Sequence, residues 1–472
     1  MQWFRLRSLC KTVVTGPYRQ GRIADRMKAI LRVLPLFLLS LAYFQTPEIT
    51  AQDWVRTGTN LGNQRIRLAA SDFKPVGNDP QTPVLKNVFD TTLFNDLSSA
   101  GLFDMVSKSL APQAMPGSPQ ELVPAQWTAA PASATMVALG ALSADNGRLV
   151  VYGWLIDLSS AGSPPVIVRQ YSEAASQDMA RTVAHRFADD IISRLGGGIN
   201  GVCETKIYFV SNRTGSKEIW VMDYDGANQH AVTHLGTVSI SPRISPDGSR
   251  VAFSSLENSG WAVRMYSFDL GRTVNFPAGA AGGSNLSPAW SADGMKLAFS
   301  SARSGHPEIW SVDAGGGSLH QITSFGSDVS PAWNPRTGAQ LAFVSGRTGE
   351  PQVYVMDQDG SNVQRMTDSG YAISPSWSTA GMLAFSWNRK YGPGDPGGQD
   401  IYVMDIASKR WLQATHEAGN NDFPSWSPDG RHIVFQREIN HRTQIWTMLG
   451  DGTEQHQLTS DGDNSMPNWS WK

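Results

Sequence analysis

One pattern dominates the second half of the chain and leaves little freedom for its fold. Copies of Pro-x-Trp-Ser, or close variants of it, begin at Pro242, Pro288, Pro331, Pro375, Pro424 and Pro467, a spacing of 43 to 49 residues. In the most regular copy, Ser287-Pro-Ala-Trp-Ser-Ala-Asp-Gly294 is followed by Lys296-Leu-Ala-Phe-Ser-Ser301, Pro307-Glu-Ile-Trp-Ser-Val-Asp313 and His320-Gln-Ile-Thr323. Short apolar runs punctuated by Gly, Asp, Ser and Pro read as four strands joined by turns. A period of this length is that of a propeller blade. A four-stranded sheet cannot cover both its faces alone, so the copies must pack on one another.

The two ends of the repeat region are incomplete in complementary ways. Met466-Pro-Asn-Trp-Ser-Trp-Lys472 has no further apolar run after it, and Lys206-Ile-Tyr-Phe-Val-Ser211 has no Pro-x-Trp-Ser before it. An orphan first strand and orphan later strands predict a closed ring of six blades, in which 465–471 is the innermost strand of a blade completed by 206–233. Trp290, Trp333, Trp377, Trp426 and Trp469 recur once per copy, as expected of apolar anchors buried between neighbouring blades. Asp-Gly at 247–248, 293–294 and 429–430 supplies tight turns between first and second strands. The first copy departs from the pattern: Ile244 stands where the others have Trp, and its fourth strand is undefined before Ala278 to Gly283.

The preceding region reads differently. Apolar residues alternate from Arg65 to Phe73, a helical spacing runs over Asn87–Ala100, and a short strand is expected near Phe103 to Val106. Ala111 to Pro131 reads mainly as loop, with a helical turn near Trp127. Three further strands follow, the first two joined by Asp145-Asn-Gly147. Ala180, Val183, Ala184, Phe187, Ile191 and Leu195 then form one apolar stripe on a helix closed by Gly196-Gly-Gly198. The expected fold is therefore multidomain: an N-terminal α/β domain over 65–198, a linker over 199–205 and a six-bladed β-propeller over 206–472.

Residues 1–51 read as a leader. Met27-Lys-Ala-Ile-Leu-Arg32 precedes an apolar run to Phe44 and a small residue at Ala51, the parts of a secretory signal. The run is shorter than the roughly 18 residues of a membrane span, so cleavage near Ala51 is expected rather than a retained anchor. Residues 1–26 read as an over-long start. The leader carries eight basic and two acidic groups, and without it the net charge falls from -2 to roughly -8. A mildly acidic protein lacks the basic footprint of a nucleic-acid binder. Cys203 is the one cysteine left, so neither an internal disulfide nor a cysteine-rich metal site can form.

Chemistry-bearing motifs are sparse. Met222-Asp-Tyr-Asp-Gly226 and Met356-Asp-Gln-Asp-Gly360 open like calcium loops but lack the closing bidentate Glu, and Asp461-Gly-Asp-Asn464 is no stronger. The chain contains no Gly-x-Ser-x-Gly and no His-Glu-x-x-His, and its nine histidines, His185, His306 and His441 among them, are scattered. No catalytic residue, metal ligand or cofactor is expected. What remains is a ring of loops on a rigid scaffold, where recognition commonly sits. One face should gather the connections between blades, 235–241, 324–330, 368–374, 416–423 and 460–466, which carry Asp328, Tyr371, Asn421 and Asn464. The loops between second and third strands share that face and are expected to contain Arg213, Arg303, Arg347, Arg389 and Arg437. These nine residues are the candidate partner-binding set.

A small α/β domain followed by Ser287-Pro-Ala-Trp-Ser, Ser330-Pro-Ala-Trp-Asn, Ser374-Pro-Ser-Trp-Ser and Phe423-Pro-Ser-Trp-Ser resembles the TolB family of the Tol-Pal system, over nearly all of 52–472. The resemblance implies a periplasmic, non-enzymatic adaptor, and the chain is expected to be monomeric and not itself membrane-embedded. It would bind the peptidoglycan-associated lipoprotein Pal through the propeller and the inner-membrane protein TolA through an N-terminal arm, supporting outer-membrane integrity and constriction at division. The corresponding arm is 52–64, with Trp54, Val55 and Leu61 as its large apolar groups; it lacks the family's run of alternating Val and Ile. The alternative class is a periplasmic hydrolase or ligand-binding propeller.

Overall fold

The computed structural model describes Trp54 and residues 65–160, 162–280, 283–390, 397–416 and 419–471. The expected leader and the arm residues Val55 and Leu61 lie outside the described residues.

Strands β1 (Ile66–Ala70), β2 (Phe103–Met105), β3 (Met136–Asp145), β4 (Arg148–Asp157) and β5 (Ile167–Ala174) form a sheet in the order β2-β1-β3-β4-β5, with Lys74–Pro75 also paired to β3. β1 runs parallel to both neighbours, Ile66 opposite Phe103 and Leu68 opposite Met136. β3, β4 and β5 are antiparallel. Their first hairpin turns through Asn146 and Gly147, both at positive φ, as a tight right-twisted hairpin requires. Helices α1 (Thr82–Ser99) and α2 (Gln177–Leu195) cover one face. Leu85, Phe89 and Leu93 meet Val183, Phe187, Ala138 and Val151 in one core. Gly140 of β3 is required there, because a Cβ would lie 2.2 Å from the Phe73 ring and 2.1 Å from the Tyr152 carbonyl.

α1 begins at Thr82, five residues before the expected Asn87. Pro83 has the fixed φ that a first turn needs, and the Thr82 hydroxyl accepts the Ala144 N–H at 3.0 Å. Its apolar periodicity is weak because its buried face includes the polar Thr82, Asp90, Thr92 and Asp96. Asp90 and Asp96 are both buried, the former accepting the Phe73 N–H at 3.1 Å and the latter facing the propeller. α2 is the stripe read from the sequence, capped where Ser176 Oγ accepts the Met179 N–H at 3.2 Å. Asp189 of α2 accepts the N–H groups of Cys203 and Glu204 at 3.0 and 3.3 Å, fixing the chain as it enters the propeller, and burial pushes its carboxyl up to about 6. Cys203 is a free, buried thiol whose pKa burial pushes well up, so it is unreactive.

Six four-stranded sheets follow. Their innermost strands are Ser239–Ile244, Asn285–Trp290, Asp328–Trp333, Tyr371–Trp377, Asn420–Trp426 and Asn464–Trp469. The last of these belongs to the sheet Asn464–Trp469, Lys206–Ser211, Glu218–Asp223, His230–Ala231, so the two ends of the repeat region share a blade. The first blade does have a fourth strand, Arg272–Val274, which pairs with Met265 to Ser267. Its short length and polar residues left it unreadable.

The Pro-x-Trp-Ser signature has a backbone explanation. In every blade the register between first and second strands shifts at the proline; Leu286 faces Ser300, but Ala289 faces Ala298. The residue before each proline, Ser241, Ser287, Ser330, Ser374, Phe423 and Met466, has φ between 51° and 55°. Proline has no N–H for a ladder, so a bulge is where a strand can hold it. Each left-handed residue costs about 1–3 kcal/mol, an amount that burial of the following tryptophan offsets. Trp290, for example, packs between Val263 and Met265 of one blade and Leu297 and Phe299 of the next.

Antiparallel ladders place the first-to-second and third-to-fourth turns at one end of the ring, and the other connections at the opposite end. The α/β domain docks on the former end. His432 donates to the Ser99 carbonyl at 3.0 Å, Tyr224 Oη to Asp96 at 2.6 Å, and Arg181 to Asp225 at 2.6 Å. The opposite face, with the inter-blade corners and the second-to-third-strand loops, carries no other domain among the described residues.

Candidate partner-binding face

The arginines of the open face are organised by their own blades. Arg213, Arg303 and Arg347 each follow a second strand whose last serine, Ser211, Ser301 or Ser345, accepts their Nε–H at 2.8 to 3.0 Å. Each guanidinium then lies over an aromatic ring of the third strand: Trp220 at 4.1 Å, Trp310 at 5.0 Å and Tyr354 at 5.0 Å from the ring centroid. Arg389 sits between Trp387 and Trp411, at 4.6 and 4.4 Å. Such stacking is worth about 0.5–2 kcal/mol and holds a flexible side chain flat against the blade.

Arg437 is not a loop residue. It lies inside His432–Ile439, opposite Asn421, and is buried. The hairpin of this blade extends to the pair Ile439 and Arg442, so its strand continues past the point where the blades carrying Arg213, Arg303 and Arg347 turn. Its guanidinium nevertheless reaches the same environment, 4.5 Å from the Trp446 ring, and donates to Asn421 at 2.7 Å.

Beneath the arginines runs a repeated polar corner that the sequence reading missed. The first residue of a third strand, a threonine 15 positions on and a residue at the start of the next innermost strand converge in it. In one blade, Thr459 Oγ1 and Asn464 Nδ2 both donate to Gln444 Oε1, at 2.6 and 2.9 Å. In the next blade round, Thr233 donates to Glu218 at 2.6 Å. Thr367 with Gln352 and Thr415 with Asp400 repeat the bond, and Asn421 donates to Asp400 at 3.1 Å. Asp328, Asn421 and Asn464 are therefore fully buried, and they shape the corners from below. The constant spacing of Thr after Glu, Gln or Asp is visible once the copies are aligned; it was the available signal.

One corner differs in charge. Glu308 and Asp328 are both fully buried and adjacent. Thr323 donates to Glu308 Oε2 at 2.6 Å, His306 Nδ1 lies 2.8 Å from Oε1, and Arg347 donates to Asp328 Oδ2 at 2.8 Å. Burial, and then the Asp328 carboxylate, raise the Glu308 pKa against the effect of Thr323 and His306.

Between this corner's threonine and Asp328 lies Phe325, 72% exposed. It is the most exposed large apolar side chain among the described residues, in a Ser324-Phe-Gly-Ser turn. Tyr371 of the neighbouring corner is half-buried. Trp54, the described residue of the arm, is half-buried against the propeller, beside the cluster that includes Leu412 and Met448, with the Arg410 guanidinium 5.7 Å from its ring.

A family model described as the TolB beta propeller domain matches residues 194–394. The matched stretch, which lies mostly within the ring, is similar to a propeller of the TolB type. The resemblance carried by the Pro-x-Trp-Ser copies thus holds. The TolB homologue of Chlorobium chlorochromatii is 33% identical over 199 residues, covering 42% of this chain and 43% of that protein. The Tol-Pal system protein TolB of Actinobacillus succinogenes is 30% identical over 235 residues, 49% of this chain and 52% of that protein. The matched stretch spans about half the length of these curated relatives. The crystal structure of TolB from Acinetobacter baumannii superposes with a TM-score of 0.71 at 22% identity, covering 86% of this chain and 97% of that one, which shows the shared fold of α/β domain and propeller.

Proposed function

We propose that this chain is the periplasmic TolB component of a Tol-Pal system: a non-enzymatic adaptor whose open propeller face binds a Pal-like peptidoglycan-associated lipoprotein and whose arm, 52–64, binds TolA. The reading rests on one observation above the rest. A propeller similar to the TolB type has one face occupied by the α/β domain and presents the other as a ring of rigid loops, with Phe325 exposed upon it. A rigid frame with one protruding aromatic is the form an interface anchor takes. Arg347, which packs beside Gly326, and the buried Asp328 hold the loop that carries that anchor, and Asn421 and Asn464 fix other corners of the same face. Trp54, seated on the flank of the propeller, would have to leave that seat if TolA takes the arm. Among the described residues no helix is long and apolar enough to cross a membrane, and the adaptor reading requires none.

The test is binding of a purified Pal-like periplasmic domain by calorimetry. Phe325→Ala is expected to weaken binding by about 2 kcal/mol, roughly thirtyfold, while folding stability changes by less than about 0.5 kcal/mol. Binding of the wild-type chain that is indifferent to Phe325, Arg303 and Arg347 together would remove the open face from the proposal. Absence of any binding to Pal-like or TolA domains would remove the adaptor reading itself.

A further inference from the structure

The axis of the propeller holds a cavity of about 90 Å³, lined by the innermost strands of all six blades. Its wall is made chiefly of proline rings and tryptophans, and Arg243 is the one ionisable residue lining it. The position is the x of Pro-x-Trp-Ser. In the other copies it holds Ala289, Ala332, Ser376, Ser425 and Asn468. Three of these have a structural task. Ser376 accepts the Trp426 N–H at 3.1 Å, Ser425 the Trp469 N–H at 3.1 Å, and Asn468 the Ile244 N–H at 3.0 Å, tying each blade to the next.

Arg243 contributes to that ring only through its backbone, whose carbonyl accepts Trp290 Nε1–H at 3.0 Å. Its side chain has no comparable role. Nη1 donates to the carbonyl of its own neighbour Pro242 at 2.8 Å, and among the described residues no carboxylate forms an ion pair with it. Burial alone lowers its pKa, to about 10, so it remains a cation at neutral pH. The same copy replaces the repeat's tryptophan by the smaller Ile244, so both departures from the pattern fall side by side on the axis.

We infer that the axial cavity is an anion socket in which Arg243 receives one small oxyanion, a carboxylate or a phosphate. The planar guanidinium keeps its Nε and Nη2 edge without a protein acceptor, and that edge presents two parallel N–H donors matched to two oxygens of one group. Arg243 is only partly buried, so its free edge is open to a group entering along the axis, and an oxyanion makes a stronger, charge-assisted partner for it than water does. The cavity is large enough for such a group and a few waters, and too small for a bulky ligand. The backbone bond to Trp290 survives replacement of the side chain, so the site can be removed without opening the ring.

The test uses the full mature chain with acetate and with inorganic phosphate as probes, titrated at constant ionic strength against chloride and followed by calorimetry and by melting temperature. Saturable binding of one equivalent of at least one probe is expected, weakened tenfold or more in Arg243→Gln, with Arg243→Lys intermediate because it keeps charge but loses the fork. Tighter binding of acetate identifies a carboxylate, such as an acidic side chain or chain end entering from the open face. Tighter binding of phosphate identifies a phosphate group. Saturable binding of neither probe, or equal affinity in Arg243→Gln, overturns the inference. Should Arg243→Gln lose the near-ultraviolet spectrum of the folded protein, Arg243→Lys alone decides: affinity equal to wild type overturns it.

Discussion

Replacing Glu308 by glutamine should stabilise the protein at neutral pH, although it removes a side chain that makes a good hydrogen bond. Four other corners place Glu218, Gln352, Asp400 or Gln444 at this position, and none of them faces a second carboxylate at the start of the next blade. Only Glu308 meets one, in Asp328, with both groups fully buried. Two such charges about 4 Å apart repel by about 4 kcal/mol at an effective dielectric of 20. Arg347 on Asp328 and His306 on Glu308 compensate much of this, leaving about 1–2 kcal/mol to be recovered. The introduced amide would keep the Thr323 bond through its carbonyl and turn a donor towards Asp328. For a domain of this size the gain corresponds to a rise in melting temperature of about 2–6 °C. The pH dependence follows from the raised pKa of Glu308. The folded state binds the Glu308 proton more tightly than the unfolded state, so stability falls as pH rises from the ordinary glutamate range through the folded pKa, and the loss persists above it. The advantage of the variant should therefore be absent below the ordinary glutamate range, grow as pH rises towards the folded pKa, and be full above it. Calorimetric melts across that range decide the matter. A variant no more stable than wild type at neutral pH, or an advantage independent of pH, would refute the acid-pair reasoning. Gln352→Glu offers the converse: it should destabilise, because Gln352 Nε2 donates to the Gly370 carbonyl at 2.6 Å and a carboxylate there would face an acceptor.

Two further outcomes are expected. Trp469→Ala should cost about 3–5 kcal/mol, because Trp469 is buried in the shared blade and its indole donates to Thr205 at 2.7 Å; limited proteolysis should then cut well away from the terminus, and wild-type protease resistance would contradict the closing role of Asn464–Trp469. At the domain junction, burial disfavours the His432 cation, but Asp429 and the Ser99 carbonyl outweigh it and raise its pKa. This contribution is present in full below about pH 6.5 and lost as pH rises through the raised value, so His432→Gln should flatten the alkaline fall in stability by about 1 kcal/mol, and an unchanged pH profile would exclude the linkage.

The ring was legible because its signals are local and repeated. A proline that must sit in a bulge, a tryptophan two residues later and an Asp-Gly turn lie within one short window, and six copies average out the irregular ones. The corners were not legible because their partners come from different blades. Glu308, Thr323 and Asp328 are 15 and 20 residues apart and meet only when two sheets pack. The arginines were found, but their setting was not: stacking on Trp220, Trp310 and Tyr354 depends on the pairing of second and third strands. Arg437 reads as a loop residue because nothing in the sequence marks that its hairpin runs two residues further, to the pair Ile439 and Arg442. In the α/β domain, α1 lost its apolar signature by burying Asp96 against Tyr224 of the propeller.

The two ends of the ring are built by different rules, and the exception among the corners has a place in that scheme. At the docked end buried ionisable groups bond across the domain junction, as Tyr224 does to Asp96 and His432 to the Ser99 carbonyl, although the buried Arg431 guanidinium beside them has no hydrogen-bond partner among the described residues. At the open end the polar corners hold the loops and avoid facing carboxylates, except at Glu308 and Asp328. That corner also carries Phe325, two residues after Thr323 and three before Asp328. Local rules are commonly broken where a site serves function rather than stability. The Glu308→Gln variant separates the two explanations. If it stabilises the fold and weakens binding of the Pal-like domain, the acid pair tunes the loop that presents Phe325. If it stabilises the fold and leaves binding unchanged, the pair is only a tolerated defect of that corner, and recognition rests on the aromatic side chain and the stacked arginines of the same face.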